Sequence, residues 1–320
     1  MRKIPRAAHR LLVFGWLQAR CCAFAVALLG GIAASRLLPE LPVARYDIVL
    51  VYGLALAVLA RRLGWDSARD TAVIAACHVI GLLFELVKVR LGSWSYPEPA
   101  VTKIAGVPLY GGFLYSAVGS YVCRAWSLLG LRLTGYRPRA MAALSCAVYV
   151  NFFTHHWLPD ARWLLAALLL CATAGTWVHY TVGDGRYRMP LALTFSLIGF
   201  FLWVAENAAT YAGAWSYPDQ LDGWQPVSPA KAGAWALLIS VTFVLAAWSR
   251  KGADQDAYEP PETGNRKRRF PGAAAVRLPG AVAARPLPPS GGHLPPREAA
   301  GALPGAETED VRDRGTEDAA

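Results

Sequence analysis

The stretch Glu85-Leu-Val-Lys88-Val-Arg-Leu-Gly92-Ser-Trp94-Ser95-Tyr96-Pro97-Glu98 recurs in outline as Glu206-Asn-Ala-Ala-Thr-Tyr-Ala-Gly213-Ala-Trp215-Ser216-Tyr217-Pro218-Asp219. Every matched position is offset by 121 residues. The match runs on to Pro108 and Gly112, which correspond to Pro229 and Gly233. A chain of ordinary composition rarely repeats such a pattern by chance. The two halves therefore read as copies of one unit. Each copy sets an acidic residue inside a strongly apolar stretch.

The surroundings of these stretches decide the class. The 320-residue chain is 55% hydrophobic and only 17% charged. That is too apolar for a soluble protein of this size, and the excess lies in the first 250 residues. Windows approaching the roughly 20 apolar residues that cross a bilayer predict eight spans, at about 17–37, 46–60, 70–89, 108–131, 140–158, 162–181, 189–210 and 229–249. The expected fold is all-α: a multi-pass helical bundle over 1–250. Repeat one covers about 17–131 and repeat two about 140–249. Four helices per unit make the repeats parallel, related by an axis along the membrane normal. Residues 251–320 are rich in Pro, Gly, Ala, Arg and Glu and read as a disordered cytoplasmic tail.

Charge fits a membrane protein better than a nucleic-acid binder, despite a formal net charge of +10. Basic residues lie mostly in short loops between apolar segments. With the N-terminus inside, fourteen fall on the inner side and seven on the outer, the seven including Arg45, Lys88, Lys103, Arg162 and Lys231. The bias puts both termini in the cytoplasm and both Trp-Ser-Tyr-Pro loops on the outer face. The Arg266–Arg269 basic run in the tail reads as solvated. The basic start before the first apolar run resembles a signal peptide, but lacks a small-residue cleavage site and reads as an uncleaved helix. Six cysteines, none in a C-x-x-C, behave as small hydrophobes rather than as a disulfide or metal framework.

Glu85 and Glu206 lead the residues able to carry chemistry. An ionisable side chain within a span is costly and usually faces a bundle interior or a wet cavity. Two carboxyls in unequal environments make an acid and a base. Glu85 has a ready partner in Lys88 at i+3, whereas Glu206 has no basic residue within four positions. Asn151, His155 and His156 stand at the same expected level, and the two histidines can assist as base, proton relay or orienting group; their spacing matches no zinc motif. Trp94, Tyr96, Trp215 and Tyr217 suit a membrane interface, but their repeated order implies a defined loop at the mouth of a site. His78 shares roughly the face of Glu85. Gly112, Ser116 and Ser120, spaced i, i+4, i+8, predict a small-residue packing seam.

Phe84-Glu85-Leu-Val-Lys88, Gly92-Ser-Trp94-Ser-Tyr96-Pro97, Gly106-Val-Pro108-Leu-Tyr-Gly-Gly112-Phe, Asn151-Phe-Phe-Thr-His155-His156 and Ala205-Glu206-Asn207 with Trp215-Ser-Tyr-Pro218 resemble the YoaT-like bacterial membrane proteins, a domain-of-unknown-function family, over roughly residues 10–250. That resemblance implies an integral membrane location and no activity. A looser layout, an acidic helix followed by glycine, an aromatic-x-Tyr loop and a Gly-Val-Pro-Leu helix start, is similar to membrane carotenoid hydratases. It implies protonation of a polyene carbon–carbon bond by an embedded carboxylic acid. Three functions follow as expectations. The first is an enzyme acting on an apolar lipid or isoprenoid, with Glu206 as acid, Glu85 as partner and membrane lipids around it. The second is a small-solute or proton-coupled transporter, and the third a structural or assembly protein. The sequence names no cofactor, and no nucleic-acid partner is expected.

Overall fold

A computed structural model describes residues 6–39 and 41–250. The tail and its basic run lie outside the described residues. Among those described there are nine α-helices: α1 (Arg6–Cys21), α2 (Ala23–Ser35), α3 (Arg45–Arg62), α4 (Ala68–Arg90), α5 (Gly111–Leu128), α6 (Pro138–Thr154), α7 (Arg162–Thr173), α8 (Leu191–Tyr211) and α9 (Ala230–Ser249). Five short strands accompany them: β1 (Lys103–Ile104), β2 (Val107–Pro108), β3 (Arg132–Thr134), β4 (Trp177–Val182) and β5 (Gly185–Pro190). The fold is thus mostly helical rather than all-α. Strands β1 and β2 form a small hairpin, and β3, β4 and β5 an antiparallel sheet in that order.

Three helices, α4, α8 and α9, are long and apolar enough to cross a membrane. A fourth candidate is the pair α1–α2, bent by 60°. Eight spans were expected, and the differences have local causes. The first expected span breaks at Cys22, between α1 and α2. The segment 162–181 is a 12-residue helix followed by a strand. Helix α7 stops before Gly175, which takes φ +77°, a conformation open to glycine. Trp177-Val-His-Tyr-Thr-Val182 then has the aromatic and β-branched content of a strand, and buries Val178 and Val182. A Gly183-Asp184 turn returns the chain as β5. Pro108, expected at a helix start, sits in β2 opposite Lys103, and α5 begins only at Gly111. Pro229 does stand immediately before α9.

Helices α4 and α5 pack closely, as do α8 and α9; α6 lies against α9, and α2 against α3 and α5. The expected small-residue seam lies between α4 and α5. Ser116 Oγ donates to the Ile74 carbonyl at 3.3 Å, and a Cβ on Gly112 would stand 2.7 Å from the His78 ring. Helix α4 starts with a capping box: Ser67 Oγ accepts from the Asp70 N–H, and Asp70 accepts from the Ser67 N–H. The same Asp70 accepts from Arg250, beyond the end of α9, at 2.8 Å. An anion at one helix N-terminus and a cation at another's C-terminus each suit the local dipole.

Candidate functional site: a cavity between two caged glutamates

The repeated glycine ends a helix in both copies. After α4, Gly92 takes φ +69°; its N–H donates to Val89 and that of Ser93 to Lys88. After α8, Gly213 takes φ +66°; its N–H donates to Thr210 and that of Ala214 to Ala209. This is the double closure of a Schellman C-cap, which needs a left-handed residue. The chain reverses there and runs back along the helix it has just left. Tryptophan and tyrosine, two apart in extended backbone, then share one side. In the first copy both turn toward the glutamate.

Glu85 is buried and accepts three hydrogen bonds. Trp94 Nε1 and Tyr96 OH donate to Oε2 at 2.6 and 2.8 Å, and Tyr115 OH of α5 donates to Oε1 at 2.8 Å. Glu206, equally buried, accepts two: Tyr217 OH on Oε1 at 2.5 Å and Trp235 Nε1 of α9 on Oε2 at 2.9 Å. The copies differ in their indoles. Trp94 bonds its glutamate, whereas Trp215 faces the cavity and Trp235 supplies the second bond. Burial, and next the neighbouring glutamate, push the Tyr96 and Tyr217 phenols well above their ordinary range. They stay protonated and donate.

Among the described residues neither glutamate forms an ion pair. The expected Glu85–Lys88 pair does not form. Lys88 is 3% exposed, and its Nζ instead lies 3.2 Å from His156 Nε2.

Both carboxyls line one cavity of about 230 Å³. Trp94, Trp215, Tyr217, Trp235, Phe84, Phe152, Leu114 and Leu238 give it apolar walls, and Lys88, Lys231, Arg162 and His155 add polar groups. Of the residues singled out in sequence, Glu85, Glu206, His155, Trp94, Trp215 and Tyr217 meet here. Tyr96 supports from behind, through Glu85.

Three residues are placed otherwise. Asn151 spans the α6–α7 connection, donating to Asp160 at 3.1 Å and accepting from the Ala161 N–H at 2.8 Å. His156 is exposed beyond the cavity and touches it only through Lys88. His78 packs edge-on against Phe113, with ring centroids 4.7 Å apart, under Gly112. Sequence reasoning missed Tyr115, Trp235 and Lys231. The first two stand 30 and 29 residues after their glutamates and so break the 121-residue offset, and no motif marks them. Among the described residues no three His, Cys, Asp or Glu side chains gather as a metal site would require.

The two signature loops also bond each other. Ser95 and Ser216, equivalent in the two copies, exchange both backbone hydrogen bonds, at 2.9 and 3.0 Å. Arg45 clamps the same junction. It reaches both oxygens of Glu98 at 2.6 Å and the Gly213 carbonyl at 2.6 Å.

Residues 10–243 match the family described as Protein of unknown function (DUF817). The chain belongs to this family. It is 43% identical over 251 residues to the uncharacterized protein YoaT of Bacillus subtilis (strain 168), an alignment covering 78% of this chain and 95% of that protein. Among solved structures, a crystal structure of a cross-linked MvINS trimer matches with a TM-score of 0.43 and 19% identity, over 59% of this chain and 97% of that one.

Proposed function

We propose that this member of the family is a multi-pass membrane protein built from two related halves, with acid–base chemistry on a lipid or isoprenoid in the cavity between its two glutamates. The observation that carries the reading is the shared cavity: two buried carboxyls, each held by neutral donors and neither in an ion pair, open onto one mostly apolar space. A carboxyl on such a wall stands where a bound substrate could exchange a proton with it. Glu206 is the acid, because it has one donor fewer than Glu85 and keeps acceptor capacity facing the cavity. Glu85 is its fixed partner, and His155 the assisting group. Membrane lipids surround the helices, and both termini face the cytoplasm by the charge bias. The self-paired Ser95 and Ser216 are what a twofold relation between the halves would give.

Transport has one observation behind it, the broken α1–α2 pair, since interrupted spans often mark ion-coupled sites. The break contributes no residue to the cavity, so chemistry on an apolar substrate is the stronger reading. The test is Glu206→Gln, which keeps shape and removes the acid, compared with a deletion strain by lipid profiling and solute uptake. The expected result is a lipid profile matching the deletion, with protein level and thermal stability retained. A wild-type lipid profile with altered uptake would move the assignment to transport. No change in either would leave a structural role.

A further inference from the structure

The lysines of the cavity have no use in the chemistry above. Lys88 is 3% exposed, is carried by a helix apolar enough to cross a membrane, and among the described residues has His156 as its one hydrogen-bond partner. Its Nζ lies over the rings of Phe84 and Phe152, at 5.8 and 5.9 Å. Lys231, in the first turn of α9, lies over the rings of Tyr217 at 4.3 Å and Trp94 at 5.7 Å. Both line the cavity, and neither forms an ion pair among the described residues. Arg162 lines it too, although Asp160 holds its Nε at 2.5 Å.

A buried ammonium is costly unless paired, and each carries three donors. The two carboxyls that might have neutralised the lysines are occupied by indoles and phenols instead. Aromatic faces soften the cost of each cation but accept no proton. The cavity therefore presents unpaired positive charge beside apolar wall. The occupant that satisfies both carries an oxyanion on a hydrocarbon body.

We propose that Lys88 and Lys231 form an anion subsite that binds the phosphate group of an amphiphilic substrate, with Arg162 at its edge. This rests on the cavity being the site of chemistry, and it narrows the substrate from any lipid or isoprenoid to a phosphate-bearing one. A neutral polyene, the substrate implied by the looser hydratase likeness, would leave both ammonium groups unpaired.

The test uses the full chain purified in detergent. The probes are inorganic phosphate, a short-chain alkyl phosphate below its micellar concentration and the matching alcohol, at constant ionic strength. The alkyl phosphate is expected to raise the unfolding temperature saturably, and the alcohol to leave it unchanged. Lys88→Met and Lys231→Met should each weaken the apparent affinity about tenfold or more, as for a lost charge-assisted hydrogen bond. Lys→Arg at either position should restore most of it. If inorganic phosphate protects as well as the alkyl phosphate, the subsite serves a soluble phosphate; if only the amphiphile protects, it serves a lipid headgroup. Both outcomes support the subsite. Equal protection of wild type and both Met variants, or none by either phosphate, overturns it. Should a Met variant not fold, competition on wild type decides: protection by the alkyl phosphate that excess alcohol displaces and excess inorganic phosphate does not would equally overturn it. Binding retained in Glu206→Gln together with an unchanged lipid profile would sink the acid–base reading and leave the subsite standing.

Discussion

Glu206 and Glu85 differ by one hydrogen bond, and that difference sets what each can lose. Leaving a buried carboxyl oxygen short of a donor costs about 1–3 kcal/mol. Tyr217→Phe takes one of two donors from Glu206, and Tyr96→Phe takes one of three from Glu85. We therefore expect the larger fall in unfolding temperature from Tyr217→Phe, measured for both variants in the same detergent. A larger loss from Tyr96→Phe would contradict the unequal cages. Asp160 gives a pH-dependent case outside the candidate spans. Burial alone would raise its pKa, but the Arg162 N–H, the Asn151 amide and the Arg162 guanidinium together hold it below the ordinary carboxylate value. Its folded pKa then lies under its unfolded one. The stabilisation is complete above the unfolded value of about 4 and is lost as pH falls through the folded value. Wild type should unfold at a higher temperature than Asp160→Asn at neutral pH, with the gap closing in acid; a constant gap would rule this out. At this scale the sequence marked Glu85, Glu206, Trp94 and Tyr217, because an acidic residue in an apolar run and a repeated tetrapeptide stand out. It hid Lys231 among loop charges and marked Lys88 only as a partner for Glu85, a pair that does not form. Charge counting cannot separate a cation that sets orientation from one that lines a cavity.

Helices meet through the residues that let their backbones approach. Gly199 in α8 faces Ala232 and Ala236 of α9, and a Cβ there would stand 2.6 Å from the Ala236 nitrogen and 2.7 Å from the Ala232 oxygen. These are backbone atoms, so the two helices would have to move apart. Small residues drive such contacts where no hydrophobic effect operates between helices. Gly30 in α2 is the opposite case: an added Cβ meets nothing within 4 Å. Gly199→Ala should destabilise by about 1–3 kcal/mol, the range for overpacking. Gly30→Ala should stabilise by about 0.5–1 kcal/mol by lowering the freedom of the unfolded chain. Paired thermal unfolding checks the signs, and a stabilised Gly199→Ala would mean that α8 and α9 are not in close contact. The long helices α4, α8 and α9 were legible because apolar runs of this length have few other uses. The 162–181 segment has the average apolarity of a span but not the pattern of a continuous helix. Gly175 and the aromatic and β-branched Trp177–Val182 carried the strand signal all along.

For the whole molecule, the decisive contact joins residues 121 apart. A backbone pair in which each partner bonds the other through both N–H and C=O is the hydrogen-bonded pair of an antiparallel ladder. Ser95 and Ser216 are such a pair. Nothing in the sequence foretold it, since two copies of a loop can fold without meeting. What the repeat did convey was that both loops have the same cap and the same aromatic order. Arg45 holds the junction from outside, with a two-pronged contact to Glu98 and a third to Gly213. Lysine could not reproduce that fork. The pairing can be captured covalently. Hydrogen-bonded antiparallel pairs have Cα atoms about 5.5 Å apart, within the roughly 4.4–6.8 Å that a disulfide spans. Ser95→Cys with Ser216→Cys should therefore oxidise within one chain. A protease site inserted in the exposed Gly183-Asp184 turn falls between the two positions. After cleavage, the double variant should run as one species without reductant and as two fragments with it, whereas the wild type, with its six native cysteines, separates in both. Fragments that separate without reductant, or a link joining two chains, would show that the loops do not pair as described.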